Sequence, residues 1–433
     1  MEKPTLGFGE ISVDEIKKRA KCFVGCHETL IAVSADGHKT DPFFKKSITY
    51  YGSGKNGNIA LNSSRRRQQC FDPSDNTTGE EVYKYSDKHG KIIKEFFNNE
   101  ILKILKDDPD TLFITWSQEH WILFTEEFHR NVICANAPEL VALFGNKINF
   151  KKFAKGKIPQ ADFDIMKGAD ILRCLAQGVF PNEREVVVQS PKGILGVGTT
   201  FFKKSMQKDR LENLSKEIDP EELYVVSEYI DNIGSPSVCV MVSNNETAIY
   251  PPWMMAIYKD SGATAGSDFA PFTVLPESVR HAVYDAALKA ARLLQESGYR
   301  GTANIDLIAT NGEEYPEAMI TEINARDPET IALLTVAASR AGLRSPHELK
   351  VEAHYAEKTN FAGETKFPPV GRRIYGSYTR DTTGKVVIPP EHRHRNTEGL
   401  DQTDSEDNIE GTTRRRYSYT GFVFNEDAEA DLR

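Results

Sequence analysis

Cysteine is scarce in this chain: six residues in 433, scattered, with some set in apolar runs such as Val132-Ile133-Cys134-Ala135. A cystine-stapled fold needs paired cysteines at short spacing, so that class is excluded and buried free thiols in a reducing compartment are expected. Cys22, Cys26 and His27 form the one tight cluster, but it lacks the second ligand pair of a zinc site. Long apolar runs are missing too. None approaches the roughly 20 residues of a membrane span, and Met1-Glu2-Lys3-Pro4 opens no signal core. The expectation is a cytoplasmic protein with no membrane partner. An excess of positive charge is also absent, since 54 basic against 63 acidic residues leave a net charge of −9. That balance argues against a nucleic-acid partner, which would want a basic face. The runs Arg65-Arg66-Arg67 and Arg414-Arg415-Arg416 are local exceptions and read as solvated segments.

What is present is a chain long enough for two or three substructures. Ser12-Val13-Asp14-Glu15 is a capping box ahead of a short helix. Thr29 to Ser34 reads as a buried strand, 54–90 as a long surface loop, and Ile92 to Leu105 as a helix. Strand-like runs at 111–115 and 131–134 follow, so helices alternate with strands and imply a parallel sheet. From about residue 146 the texture changes. A short basic helix with Phe150 and Phe153 stops at Gly156, then come strand 185–190, glycine-rich 191–200 and polar 203–219. Strands 223–230 and 236–243 lead into irregular sequence containing a turn at Gly266-Ser267-Asp268-Phe269. Val279, Val283, Ala286, Ala287, Ala290, Leu293 and Leu294 then make one helical stripe. Strands 302–309 and 317–324, a helix beyond 345, a hairpin at 372–389, a polar segment 391–413 and a strand 417–424 complete the pattern.

Three segments carry chemistry. In Glu322-Ile323-Asn324-Ala325-Arg326, strand alternation puts Glu322, Asn324 and Arg326 on one face, and Asp306 comes from the preceding strand. Two carboxylates and an amide oxygen are hard donors suited to Mg²⁺. Such an ion would bridge nucleotide phosphates, and an adjacent arginine offers a fork for phosphate or carboxylate. A polar, solvated sheet face is the alternative. The second segment runs from Gln189 to Thr200 with glycines 193, 196 and 198, whose backbone amides can approach phosphate oxygens. It is not a Walker A loop, and a plain hairpin would look similar. The third is Tyr224 to Asp231, an apolar strand ending in Glu228, which suits adenine on backbone groups and a ribose hydroxyl on the carboxylate. A solvated edge glutamate would read the same way.

Taken in order, these segments resemble the ATP-grasp superfamily over roughly residues 140–345, with looser similarity through the N-terminal part. Asn146-Lys147 and Gly156-Lys157-Ile158-Pro159 resemble its lysine-bearing entry segment. The resemblance implies an α/β chain: a Rossmann-like pre-ATP-grasp domain at 1–140, lobe one at 141–222, lobe two at 223–345 and an extension at 346–433. It implies ATP with Mg²⁺, or Mn²⁺, as cofactors. Lys147 would touch the phosphates, with Gln189, Gly193, Gly196 and Gly198 around them. Glu228, Tyr229 and Ile230 would hold the nucleoside, and Asp306, Glu322 and Asn324 the metal. Arg326 would stabilise an acyl phosphate. Many members carry a second lysine where this chain has Gln189, so Lys192, or Lys203 or Lys204, is expected to substitute. Asp268 and Arg300 are the candidate substrate contacts. The implied activity joins a small-molecule or peptide carboxylate to an amine. The nearest likeness is to amide-forming ligases of peptide natural products such as the pheganomycin type, and a homodimer is implied by analogy. Two alternatives stay open: a biotin-dependent or purine-type carboxylase, and a nucleotide-binding scaffold that has lost catalysis.

Overall fold

The computed structural model describes residues 11–26, 43–44, 46–52, 59–63, 69–70, 88–116, 125–177, 185–191, 198–202, 218–257, 264–328, 330–367, 372–380, 386–387 and 416–423. The expected strand at 29–34, the polar stretch 203–217 and the segment 391–413 lie outside them, as does His27.

The N-terminal part opens with α1 (Val13–Lys18), whose Ser12 hydroxyl accepts from the Glu15 amide. Next come β1 (Lys21–Cys26), β2 (Lys46–Gly52), β3 (Ile59–Ser63), β4 (Gln69–Cys70), α2 (Lys88–Asp107), β5 (Leu112–Thr115) and β6 (Val132–Ile133). They form a sheet ordered β4-β3-β2-β1-β5-β6. The pairs β2–β1, β1–β5 and β5–β6 are parallel, as the alternating pattern predicts. The stretch read as one surface loop nevertheless contains β3 and β4, paired antiparallel. Short runs such as Ile59-Ala60-Leu61 are framed by Gly, Asn and Arg, and that composition masks the strands.

A second sheet is built from β7 (Phe163–Lys167), β8 (Val186–Gln189), β9 (Thr199–Phe202) and β10 (Leu223–Glu228), ordered β7-β10-β8-β9. Helix α5 (Gly168–Ala176) buries Ile171 against Val186, Val188, Phe202, Tyr224 and Val226. Two short helices precede this sheet, α3 (Pro138–Gly145) and α4 (Lys147–Ala154).

The third sheet is the largest. Its central path joins β11 (Pro236–Val242), β13 (Trp253–Ile257), β14 (Thr264–Asp268), β15 (Gly301–Ala309) and β16 (Ala318–Asn324), and β12 (Thr247–Ile249) pairs with β11. The region after β11, read as irregular, therefore holds three strands, and Gly266-Ser267-Asp268 is a strand end rather than a turn. Beyond β14 the sheet continues through β17 (Arg372–Arg380), which pairs with β18 (Val386–Val387) and β19 (Arg416–Val423). The hairpin and final strand expected from the sequence are thus present.

The sheet is covered on both faces along residues 238–242 of β11, which is why that run is apolar. Val238, Val240 and Val242 pack with Ala303, Ile305 and Leu307 against α6 (Glu277–Glu296), through Val283, Ala287, Ala290 and Leu294. The Val, Ile and Leu side chains among these contribute about 1.5–3 kcal/mol each when fully buried. On the other face, Cys239 and Met241 join a core shared with β1, β5 and the helices α7 (Ile331–Arg340) and α8 (Pro346–Tyr355). Helix α7 was not anticipated. It is apolar nearly all round, with Ile331, Leu333, Leu334 and Ala338 buried, and so shows no amphipathic stripe.

Candidate active site

The site is a product of strand alternation and one irregularity. Along β15, Ala303, Ile305 and Leu307 point to α6, so Thr302, Asn304 and Asp306 face away from it. On β16, Asp306 is opposite Glu322 and Leu307 is opposite Ile320, which leaves Thr321 as an extra residue. This β-bulge changes the face of the strand. Ile320 and Ile323 both enter the α6 core, while Glu322 and Asn324 join Asp306 on the opposite side. Without the bulge Glu322 would share Ile320's face. The Thr321 hydroxyl donates to the Asp306 carbonyl at 3.0 Å across the irregularity.

The side chains converge. Asn324 Nδ2 donates to Asp306 Oδ2 at 2.8 Å and to Glu322 Oε1 at 3.0 Å. Ser237 Oγ and Asn304 Nδ2 donate to Asp306 Oδ1 at 2.7 and 2.8 Å. Lys147 Nζ lies 2.6 Å from Glu322 Oε2. Lys147 is the first residue of α4, where Asn146 Oδ1 caps the amides of Ile148 and Asn149. Its own amide donates to the Pro191 carbonyl at 2.9 Å, which ties the base of the glycine-rich segment to the cluster.

The charges are strongly perturbed. Burial, then the neighbouring Glu322 charge, push the Asp306 carboxyl up to about 7. Burial also acts to raise Glu322, but the charge and hydrogen bond of Lys147 outweigh it and hold that carboxyl down at about 2. One ionised and one readily protonated carboxyl side by side is the pattern expected of a functional pair. The donors fit a divalent ion: two carboxylates, plus an amide that presents Oδ1 once it rotates.

Arg326 follows directly, its guanidinium 5.2 Å from the Trp116 ring centroid. The next residue, Asp327, is fully buried, with Lys350 Nζ 3.0 Å from Oδ1 and His347 Nε2 3.5 Å from Oδ2. Thr302 Oγ1 also donates to it, and the Asp327 amide donates to the Trp116 carbonyl. This network fastens the end of β16 to the end of β5.

The other expected residues fall in several places. Glu228 ends β10 and accepts from the Tyr315 hydroxyl at 2.7 Å. The Tyr229 amide donates to the Glu185 carbonyl at 2.8 Å, its ring stacks edge-on with Phe201, and Ile230 is buried. Among the described residues, Gln189 Nε2 reaches Thr199 Oγ1 at 3.5 Å. Gly198 has φ +74°, and a Cβ there would meet Ser190 Oγ at 2.1 Å, so the turn requires glycine. Lys192, Gly193, Gly196, Lys203 and Lys204 lie outside the described residues.

Asp268 and Arg300 are not brought to the cluster. Asp268 pairs with Met254, whose neighbour Trp253 pairs with Ser237, so Asp268 belongs to the face opposite Ser237. Arg300 precedes Asp306 by six residues of extended chain, about 20 Å, and its guanidinium is held by Tyr299 O and Asn244 Oδ1. Sequence reading overlooked Ser237, Asn304, Tyr315 and the Asp327 network. Asn304 alone had a signal, the alternating polar series Thr302, Asn304, Asp306 in an otherwise apolar strand.

No family model and no curated protein sequence matches this chain. Solved structures do. L-amino acid ligase from Bacillus licheniformis superposes with TM-score 0.58 at 12% identity, covering 96% of each chain. An ADP complex of N5-carboxyaminoimidazole ribonucleotide synthetase gives 0.52 at 14%, covering 96% of this chain and 94% of that one. The biotin carboxylase domain of Hydrogenobacter thermophilus 2-oxoglutarate carboxylase, bound to MgADP, ADP and bicarbonate, gives 0.51 at 13%, covering 75% and 73%. At these identities the likeness speaks for architecture alone: the chain shares the mixed α/β fold of these enzymes, with several sheets, over most of its length.

Proposed function

We propose that this protein is an ATP-dependent carboxylate–amine ligase, forming an amide or peptide bond through an acyl phosphate and releasing ADP and phosphate. The observation that carries the reading is the convergence of Asp306, Glu322 and Asn324 beside Lys147 on one face of the bulged β15–β16 pair. A bound Mg²⁺ would supply neutralisation of triphosphate charge. These three side chains would hold it, and Asn304 and Ser237 would orient Asp306. Lys147 would exchange Glu322 for phosphate oxygens. Glu228 would take a ribose hydroxyl, and Arg326, held against Trp116, would receive the carboxylate or its phosphorylated form. With Arg300 and Asp268 elsewhere, Arg326 is the described residue best placed for the acyl donor. The likeness to an L-amino acid ligase over 96% of both chains supports amino acids or peptides as the substrate class.

The test is release of ADP and phosphate on mixing with ATP, Mg²⁺ and amino-acid pools. Release that requires an amine acceptor supports the ligase. ATP binding without turnover in any pool would favour a scaffold. Bicarbonate-dependent release without an amine acceptor would favour a carboxylase.

Two predictions arise here. Glu228→Ala removes a charged acceptor and is expected to raise the KM for ATP about tenfold, with little change in kcat; steady-state kinetics with ATP varied will show it, and an unchanged KM would remove Glu228 from the nucleotide site. Metal binding needs Asp306 ionised, and its carboxyl sits near 7. Mg²⁺-nucleotide affinity should therefore rise with pH through 7 and fall about tenfold per unit below it, with proton release on binding. Calorimetry in buffers of differing ionisation enthalpy measures both, and a pH-independent affinity would contradict the assignment.

A further inference from the structure

Three lysines are buried among the described residues: Lys21, Lys151 and Lys350. Two are well satisfied. Lys21 Nζ donates to the carbonyls of Ile16, Lys17 and Arg19 at 3.0, 2.9 and 2.9 Å. Lys350 pairs with both oxygens of Asp327, at 3.0 and 3.1 Å. Lys151 is different. It is 2% exposed, yet its one described hydrogen bond goes to the Ile320 carbonyl at 3.5 Å, the outer limit for such a contact. No described carboxylate lies within ion-pairing distance of it.

Its location gives that isolation a meaning. Lys151 is four residues after Lys147 on α4, so the two share a helix face. Its ammonium sits between Ile320 of β16, in the largest sheet, and the ring of Phe163 of β7, in the four-stranded sheet, 5.9 Å from the ring centroid. It is therefore in the space between the two sheets, two residues along β16 from Glu322. An ammonium buried with no anion in direct contact costs free energy that packing alone does not recover. Burial pushes this one down to about 8, the nearby Glu322 charge opposing the shift and the Lys147 charge adding to it. Meanwhile Gln189, on the strand entering the glycine-rich segment, brings no charge.

We propose that Lys151 is a second phosphate-binding lysine, supplying from α4 the positive charge that Gln189 does not supply from β8. This rests on the nucleotide reading of the site. A bound phosphate gives the ammonium an anion in direct contact, and nucleotide binding above pH 8 then takes up a proton.

The test compares adenosine, ADP and ATP binding, with Mg²⁺, to the wild-type protein and to Lys151→Met, together with the melting temperature of each without ligand. Met matches the length of the lysine stem and removes the charge. The proposal expects at least a tenfold loss of ADP and ATP affinity, unchanged adenosine affinity, and a melting temperature equal to or above wild type, because an uncompensated buried charge has gone. Equal ADP and ATP affinity in the two proteins, or equal losses for all three ligands, would overturn it. Should Lys151→Met fail to fold, Lys151→Gln, which still donates to the Ile320 carbonyl, carries the same readout. If the wild-type protein binds none of the three, the nucleotide reading itself falls. Wild-type binding with an unaffected variant removes Lys151 alone.

Discussion

Replacing Glu322 by alanine is expected to abolish ATP turnover, with a fall in kcat of at least a thousandfold, while the protein stays folded. Glu322 lies on the face of β16 that does not pack on α6, and its side chain is 23% exposed, so truncation removes little core volume. What it removes is chemistry: one of two carboxylates at the cluster and the counter-ion of Lys147, 2.6 Å away. Lys147 then has lost its ion-pair partner, and Asp306 is the one carboxylate left at the cluster. Asp306 loses a repelling neighbour, so its carboxyl should drop from about 7 toward the ordinary range. A variant that still binds ATP in the absence of Mg²⁺ but no longer responds to the metal fits this account. Full Mg²⁺-dependent activity would remove Glu322 from the metal site. Far-ultraviolet circular dichroism and the melting temperature check that the fold is retained.

Lys350→Met is expected to have the largest effect on stability. The Lys350–Asp327 pair is completely buried, 0% exposed on both sides. Breaking such a pair by removing one partner strands the other charge and costs roughly 3–5 kcal/mol. Thr302 and His347 still touch Asp327, but neither supplies a fixed positive charge. Burial acts to raise the Asp327 carboxyl, and Lys350 overrides it to hold the group at about 2. The folded value is thus below the unfolded one, so this contribution is fully present above about pH 4 and is lost as pH falls toward 2. In Lys350→Met the sign reverses: Asp327 should titrate high, and the variant should gain stability as pH falls from 7 toward 5. Because the network ties β16 to Thr115 and Trp116 of the N-terminal sheet, the docking of Arg326 on Trp116 should weaken with it. Denaturant unfolding across pH reads the first effect. The double variant Asp327→Asn, Lys350→Met should recover much of the loss, and an additive double loss would contradict the pairing argument.

The residues nearest the chemistry were legible because their spacing follows strand geometry. Glu322 and Asn324 share a face by alternation, Asp306 comes from the strand paired beside them, and Lys147 follows a helix-capping asparagine. The reason Glu322 faces away from the core was not legible. It depends on the bulge at Thr321, and no local composition marks it. Ser237, Tyr315 and Lys350 escaped notice because their partners are 69, 87 and 23 residues away in sequence. A single serine opening an apolar strand, or a lysine inside a helix, has many meanings until the fold supplies its neighbour. Arg300 shows the converse. Closeness in sequence to the Asp306 strand suggested a place in the site, yet extended chain carries it to the far end of β15, where Asn136 and Asn244 hold it. Helix α7 and strands β12–β14 were missed because burial on every side, or short strands among polar turns, erases the periodicity that reading relies on.

The most direct test of the account is a crystal structure with a non-hydrolysable ATP analogue and Mg²⁺. The account predicts a metal ion coordinated by oxygens of Asp306 and Glu322 at about 2.0–2.1 Å, the Asn324 amide turned to present Oδ1, and Lys147 moved from Glu322 to the phosphates. A nucleotide bound away from β16, with the Lys147–Glu322 ion pair intact, would contradict it.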